Sequence, residues 1–181
     1  MEFNKSSRFN IENKKEENQT NIPEDLLSQL DNIINQKSKK PNLIHYKGKI
    51  GEFYYDPNIW EISCNHLRFK NRKVESLPKN LELPEGCIDI SEMFSWCENL
   101  TDISPLENWN TSNVESMLSM FHYCENLTDI SPLKNWNTSS VSNMSHMFHN
   151  CKSLTDISPL ENWDTSNVTN MSEMFEYCEN I

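Results

Sequence analysis

Three consecutive 27-residue stretches of this chain are near copies of one another: Leu100 to Asn126 reads LTDISPLENWNTSNVESMLSMFHYCEN, Leu127 to Ser153 reads LTDISPLKNWNTSSVSNMSHMFHNCKS, and Leu154 to Asn180 reads LTDISPLENWDTSNVTNMSEMFEYCEN. A unit this short cannot bury its own apolar side chains, so neighbouring units must stack and bring equivalent residues into columns. A partial unit comes first, with Cys87, Ile90, Met93, Phe94 and Cys97 standing 27 residues ahead of Val114, Met117, Met120, Phe121 and Cys124. Ile181 begins the next unit.

The spacing of three, three, one and three from Val114 to Cys124 lays the apolar groups on one face of a short helix or 3₁₀ segment. Thr111, Ser112 and Asn113 before them are N-cap residues. Leu127 to Ile130 reads as a short strand closed by Pro132, whose missing N–H cannot extend a ladder. Trp109, Trp136 and Trp163 open return loops and are expected to plug the core, each indole N–H meeting a backbone carbonyl. The expected fold is an α/β leucine-rich-repeat-type solenoid, one short strand plus one short helix per 27 residues. The three glycines, Gly48, Gly51 and Gly86, all precede the full repeats. Turns within the repeats therefore fall to Pro, Asn, Asp and Ser.

Upstream, residues 1–20 carry too few apolar groups to offset chain ordering and are expected to form a disordered tail. Pro23 to Gln36 places Leu26, Leu27, Leu30, Ile33 and Ile34 at helical spacing behind an early proline and two acids, the pattern of an amphipathic helix. Leu43–Tyr46 and Lys49–Tyr55 flank Lys47-Gly48 as a hairpin, and Ile59–Cys64 and Leu67–Phe69 add strands. Residues 21–76 thus read as an α+β N-terminal cap on a solenoid spanning 77–181. No apolar run reaches the length of a membrane span, and no charged-then-apolar export signal is present. A cytoplasmic protein is expected.

The formal net charge of −11 belongs to one half of the chain: residues 1–90 hold 14 Lys/Arg and 14 Asp/Glu, residues 91–181 hold 2 and 13. Such a field opposes a grip on a phosphate backbone and favours a basic protein surface, although solubility alone also calls for charge. Asp102, Asp129 and Asp156 follow Leu-Thr in successive units and, with Glu107 and Glu161, are the candidate binding residues. Either this column meets Lys and Arg of a partner, or each aspartate hydrogen-bonds a neighbouring loop.

The remaining reactive residue types read as architecture. Cys97, Cys124, Cys151 and Cys178 recur at one repeat position, and at a helix-packing separation of about 10 Å they cannot pair as disulfides. No CxxC pair starts a zinc site. With Cys64 and Cys87 they read as free thiols of a reducing compartment. His122 and His149 share a repeat position with Ser95 and Glu176, and His146 shares one with Ser119 and Glu173, which reads as surface. No catalytic residue, metal or cofactor is expected, and calcium lacks an EF-hand or glycine-rich nonapeptide loop. Arg68, Lys70, Arg72 and Lys73 read as a solvated edge or a contact to the first acidic repeat.

Within each unit the order Trp, Asp/Asn-Thr-Ser, Val, Met, Met-Phe, Cys, Leu, as in WDTSNVTNMSEMFEYC at Trp163 to Cys178, resembles the BspA-like (DUF285) surface-protein repeats. The resemblance covers about residues 74–181, and the lead-in Leu77-Pro78 to Leu83-Pro84-Glu85-Gly86 is similar to what precedes such arrays. It implies a curved leucine-rich solenoid used in adhesion and protein binding, without catalytic residues. The missing export signal departs from the family's usual surface location and points to a partner inside the cell.

The expected function is a non-enzymatic protein-binding module that recognises a basic macromolecular partner through an acidic repeat face. The alternative is an intracellular, phage-encoded inhibitor that blocks the nucleic-acid channel of a bacterial immune nuclease, in the manner of an anti-CRISPR protein. Direct nucleic-acid binding by the repeats and a membrane span are not expected. The last repeat is expected to expose Met171, Met174 and Phe175, which suits a tail-to-tail homodimer.

Overall fold

Alternating side chains between Ile44 and Phe69 fold into two antiparallel hairpins. Strand β1 (Ile44–Gly48) pairs with β2 (Gly51–Tyr55), and β3 (Trp60–Ser63) with β4 (His66–Phe69). The structure, a computed structural model, describes residues 43–181, which fall within a single unit, Pro41–Ile181. The tail expected at 1–20 and the helix expected over Pro23–Gln36 lie outside the described residues.

The first hairpin turns at Lys49-Ile50, two residues later than expected. Ile50 decides this: its side chain is buried and its carbonyl accepts the Ile88 N–H at 3.1 Å, which ties the turn to the start of the repeats. Gly51 (φ 121°) and Gly86 (φ 87°) permit the approach, because a Cβ on Gly51 would strike the Gly86 carbonyl and one on Gly86 the Glu52 carbonyl. The second hairpin turns through Cys64 and Asn65, both at positive φ (52° and 64°), the handedness that matches strand twist. Its Phe69 N–H donates to the Met93 carbonyl at 2.9 Å, and Trp60 and Phe69 pack against Phe94.

The repeats correct the expected fold class: they do not form an α/β leucine-rich-repeat-type solenoid of strands and helices. Among the described residues there is no α-helix, the strands belong to the two hairpins, and the helical pieces are short 3₁₀ turns at Ser104–Asn108, Ser131–Leu133 and Ser158–Leu160. Leu127–Ile130 forms no strand, and Val114–Cys124 is a run of turns rather than a helix.

The backbone N–H groups explain why. In the second rung those of Met117, Ser119, Phe121 and Tyr123 donate to the carbonyls of Asn143, Ser145, Met147 and His149 in the next repeat, all at 2.9 Å. The intervening N–H groups of Met120, His122 and Cys124 close turns onto the carbonyls three residues back. An α-helix would spend both sets internally, four residues back. Two further features oppose a helix. Asn143 and Asn170 take the N–H of Ser145 and Ser172 at 3.0 Å through their side chains, a local bond that competes with helical ones. Each repeat also carries two left-handed residues: Glu92, Ser119, His146 and Glu173 at φ 53–56°, and Trp96, Tyr123, Asn150 and Tyr177 at φ 59–66°. That conformation costs roughly 1–2 kcal/mol per non-glycine residue, offset by the inter-repeat ladder it makes possible.

Stacked rungs therefore lie at sheet spacing rather than helix spacing. Ring centroids along the column Phe94, Phe121, Phe148, Phe175 are 5.5–5.6 Å apart. The columns of Ile, Val, Met, Phe, Cys and Leu are buried almost completely through the internal repeats. Trp109, Trp136 and Trp163 stack beside them, their Nε1–H groups donating to the carbonyls of Leu81, Leu106 and Leu133 at 2.9–3.0 Å. Thr111 and Thr138, also buried, donate their hydroxyls to Asn137 and Asp164 one repeat ahead at 3.0 Å.

Phe121→Ala removes a ring packed on both sides and is expected to cost about 3–5 kcal/mol. Tyr54→Ala, on the open face of the first hairpin, is expected to stay within about 0.5 kcal/mol. Equilibrium urea unfolding of the two variants measures the contrast.

Candidate functional site

Each sequence-singled aspartate sits just before the 3₁₀ turn of its repeat. Asp102, Asp129 and Asp156 accept the N–H of Ser104, Ser131 and Ser158 through Oδ1 at 2.8–2.9 Å. The bonds hold the carboxylates of Asp102 and Asp156 below the ordinary range, backbone donation first and the serine hydroxyl next. All three are exposed, one per repeat, and so are Glu107 and Glu161 at the end of the same turns. Lys134 stands between those two in the repeat pattern and breaks their column. The aspartates thus hydrogen-bond locally, as one of the two sequence readings had it, while remaining open to solvent.

The basic cluster makes contacts of its own. Arg68 pairs with Glu92 of the first repeat, Arg72 with Glu61 at 3.7 Å, and Lys70 donates to the Pro57 carbonyl at 2.6 Å. The contact of Arg68 to the first acidic repeat is the one the sequence suggested.

The cysteine column needs a different account from the one its sequence spacing gave. The separation is that of sheet rungs, not about 10 Å, and what keeps the thiols apart is a partner for each. Cys124, Cys151 and Cys178 donate Sγ–H to the carbonyls of Phe94, Phe121 and Phe148 at 3.0–3.3 Å. All six cysteines are free. Burial pushes the Cys87 and Cys97 thiols up to about 12 and those of Cys124 and Cys151 up as well. Cys64 alone is exposed.

Short rung spacing also gathers what the sequence scattered. His146 and His149 converge on Glu173, although their repeat positions read as unrelated surface. His146 Nδ1 lies 3.1 Å from Glu173 Oε2, and His149 Nε2 lies 3.9 Å from the same oxygen and 3.8 Å from Glu176 Oε2. The ligand atoms of His146, His149 and Glu173 all fall within 4.8 Å of one another, a set able to hold a metal ion. His122 stacks nearby, its ring 4.9 Å from that of His149. Burial, then the neighbouring His149 and His146, hold the His122 imidazole below its ordinary range. Trp96, 47% exposed, stacks on Tyr123 at 4.0 Å beside this group, and Tyr177 closes its far side against His149. The sequence signal was present: positions 119/146/173 and 122/149/176 are three residues apart in one repeat and one rung apart in the stack.

The last repeat presents a different surface. The N–H groups of Met171, Glu173, Phe175 and Tyr177, whose equivalents pair in every earlier rung, have no backbone acceptor among the described residues. An apolar cleft of 220 Å³ opens there between Met144, Leu160, Trp163 and Phe175. Met171 is exposed as expected, Phe175 is partly buried, and Met174 is buried.

Residues 88–181, slightly more than half the chain, match the family model described as Mycoplasma protein of unknown function, DUF285. The chain belongs to the DUF285 family. No curated protein and no solved structure matches it. Within the matched residues, the recurring Trp, Thr, Met-Phe and Cys of this chain fall in core columns and inter-rung bonds. No helix among the described residues is long and apolar enough to cross a membrane.

With thiols raised far above neutrality by burial, iodoacetamide at neutral pH is expected to label Cys64 in the native protein and to reach Cys87, Cys97, Cys124 and Cys151 only after denaturation. Peptide mass spectrometry reads the order; rapid native labelling of Cys124 would contradict the packing.

Proposed function

We propose that this DUF285 chain is a non-enzymatic binding module that recognises a basic macromolecular surface through its acidic repeat face. The observation that carries the reading is the set of Asp102, Asp129 and Asp156, exposed one per repeat and held in place by the N–H of the serine two residues on. Fixed carboxylates lose little side-chain entropy when they meet Lys or Arg, and the excess of 13 acids over 2 bases in residues 91–181 adds a long-range attraction for a cationic partner. Glu107 and Glu161 extend the same face. The exposed Trp96, stacked on the half-buried Tyr123, supplies the kind of aromatic anchor that concentrates binding energy. A cytoplasmic setting remains part of this reading.

Asparagine accepts the same serine N–H, so Asp102→Asn, Asp129→Asn and Asp156→Asn together remove charge while keeping the turns. The triple variant is expected to bind a polylysine-type peptide about tenfold or more weakly at low salt, with a flatter salt dependence. Isothermal titration across ionic strengths decides, and unchanged affinity and salt slope would remove the acidic face from the account. The nuclease-inhibitor alternative draws on the same acidity without an observation of its own, and competition against guide or target nucleic acid separates it.

A tail-to-tail homodimer would meet through the open cleft of the last repeat. Both copies would present N–H donors there, so its contact would rest on apolar side chains around Met171 and Phe175. Light scattering is expected to show a mass that rises with concentration; a constant monomer mass rejects it.

A further inference from the structure

We propose that His146, His149 and Glu173 form a binding site for a zinc-type divalent transition metal, which pins the last repeat onto the one before it. The ligand types are right: imidazole nitrogens and a carboxylate suit zinc and its neighbours rather than calcium or magnesium. The spacing is right as well. Two atoms each about 2.1 Å from a tetrahedral ion lie about 3.4 Å apart, and the separations from Glu173 Oε2 to His146 Nδ1 and His149 Nε2 are 3.1 and 3.9 Å.

An independent feature marks the site. His149 is only 9% exposed, yet its Nδ1 has no hydrogen-bond partner and its Nε2 stands 3.8–3.9 Å from two carboxylates, too far for a hydrogen bond. An ion between His149 Nε2 and these acids gives that nitrogen the partner it lacks, while Nδ1 stays unpaired on the other side of the ring. His146 and Glu173 both occupy left-handed positions one rung apart, which places their side chains side by side. Glu176 Oε2 stands ready near the fourth position, and His122 lies against His149 as a neighbour. Two ligands come from the third full stretch of turns and one from the fourth, so the ion would join rungs that otherwise meet at the least covered end of the described stack.

The test uses the full chain without a histidine tag. Titration with Co²⁺ is expected to give the visible d–d absorption of a nitrogen- and oxygen-ligated site at one equivalent, discharged by Zn²⁺, and Zn²⁺ is expected to raise the thermal unfolding midpoint. His149→Ala and the exposed, conservative Glu173→Gln should each lower Co²⁺ affinity by at least about 10–100-fold, the loss that even outer residues of metal sites carry, whereas His45→Ala should leave it unchanged. Circular dichroism of Glu173→Gln confirms that the reference fold is kept. Absence of a cobalt spectrum, an unfolding midpoint insensitive to Zn²⁺, equal affinity in Glu173→Gln, or equally tight Mg²⁺ binding would each overturn the proposal and leave a histidine–carboxylate ion-pair network.

Discussion

The structure depends on a division of labour among backbone N–H groups. In the Val-to-Cys stretch of every described repeat but the last, alternate N–H groups close tight turns and the others reach the next repeat. That second set makes a sheet-like ladder without long strands, and it brings the phenylalanine rings of neighbouring rungs to 5.5 Å. Every other feature inherits this number. Phenylalanines stack face to face, the tryptophans stack beside them with their N–H groups engaged, and the buried threonines stitch one rung to the next. The left-handed residues are the local cost of turning so often, and no glycine is present in the full repeats to lower it.

A stack built this way converts a repeat position into a spatial neighbourhood. Core residues 27 apart stack on one another, as the phenylalanine and tryptophan columns do, and residues three apart in the turns form the adjacent column. Side-chain variation between repeats therefore matters more than the repeated residues. The repeated Trp, Met, Phe and Cys build the columns, while the changes from Ser to His to Glu at neighbouring positions bring His146 and His149 to Glu173 and Glu176, with the His122 ring alongside. The acidic face follows the opposite logic: its aspartates do not vary, and their serine hydrogen bonds give them a structural role in every repeat in addition to their charge.

Much of this was legible in the residues. The 27-residue period, the core positions from Val114 to Cys124, the tryptophan plugs, the presence of strands before the repeats and the family resemblance all followed from spacing and residue type, although the first hairpin's turn was placed two residues early. The helix did not. Apolar groups at spacings of three, three, one and three fall on one side of a helix and equally on the inner side of a series of turns, so periodicity could not choose between them. Serine and asparagine inside the stretch were the overlooked signal, since their side chains compete for the backbone groups a helix needs. Misjudging the rung distance then carried over to the cysteines, while the histidines read as surface because Ser and Glu fill their positions in other repeats.

By itself, then, the sequence determined which side chains are buried, because burial follows from the chemistry of residues that recur at fixed intervals and must be covered by their own copies. It determined the family and the acidity of the repeat half on the same grounds. Only the tertiary structure decided how far apart the copies stand, since that distance depends on where each N–H finds its acceptor, a choice between a carbonyl four residues back and one in the next repeat. The convergence of His146, His149 and Glu173 is a consequence of that choice.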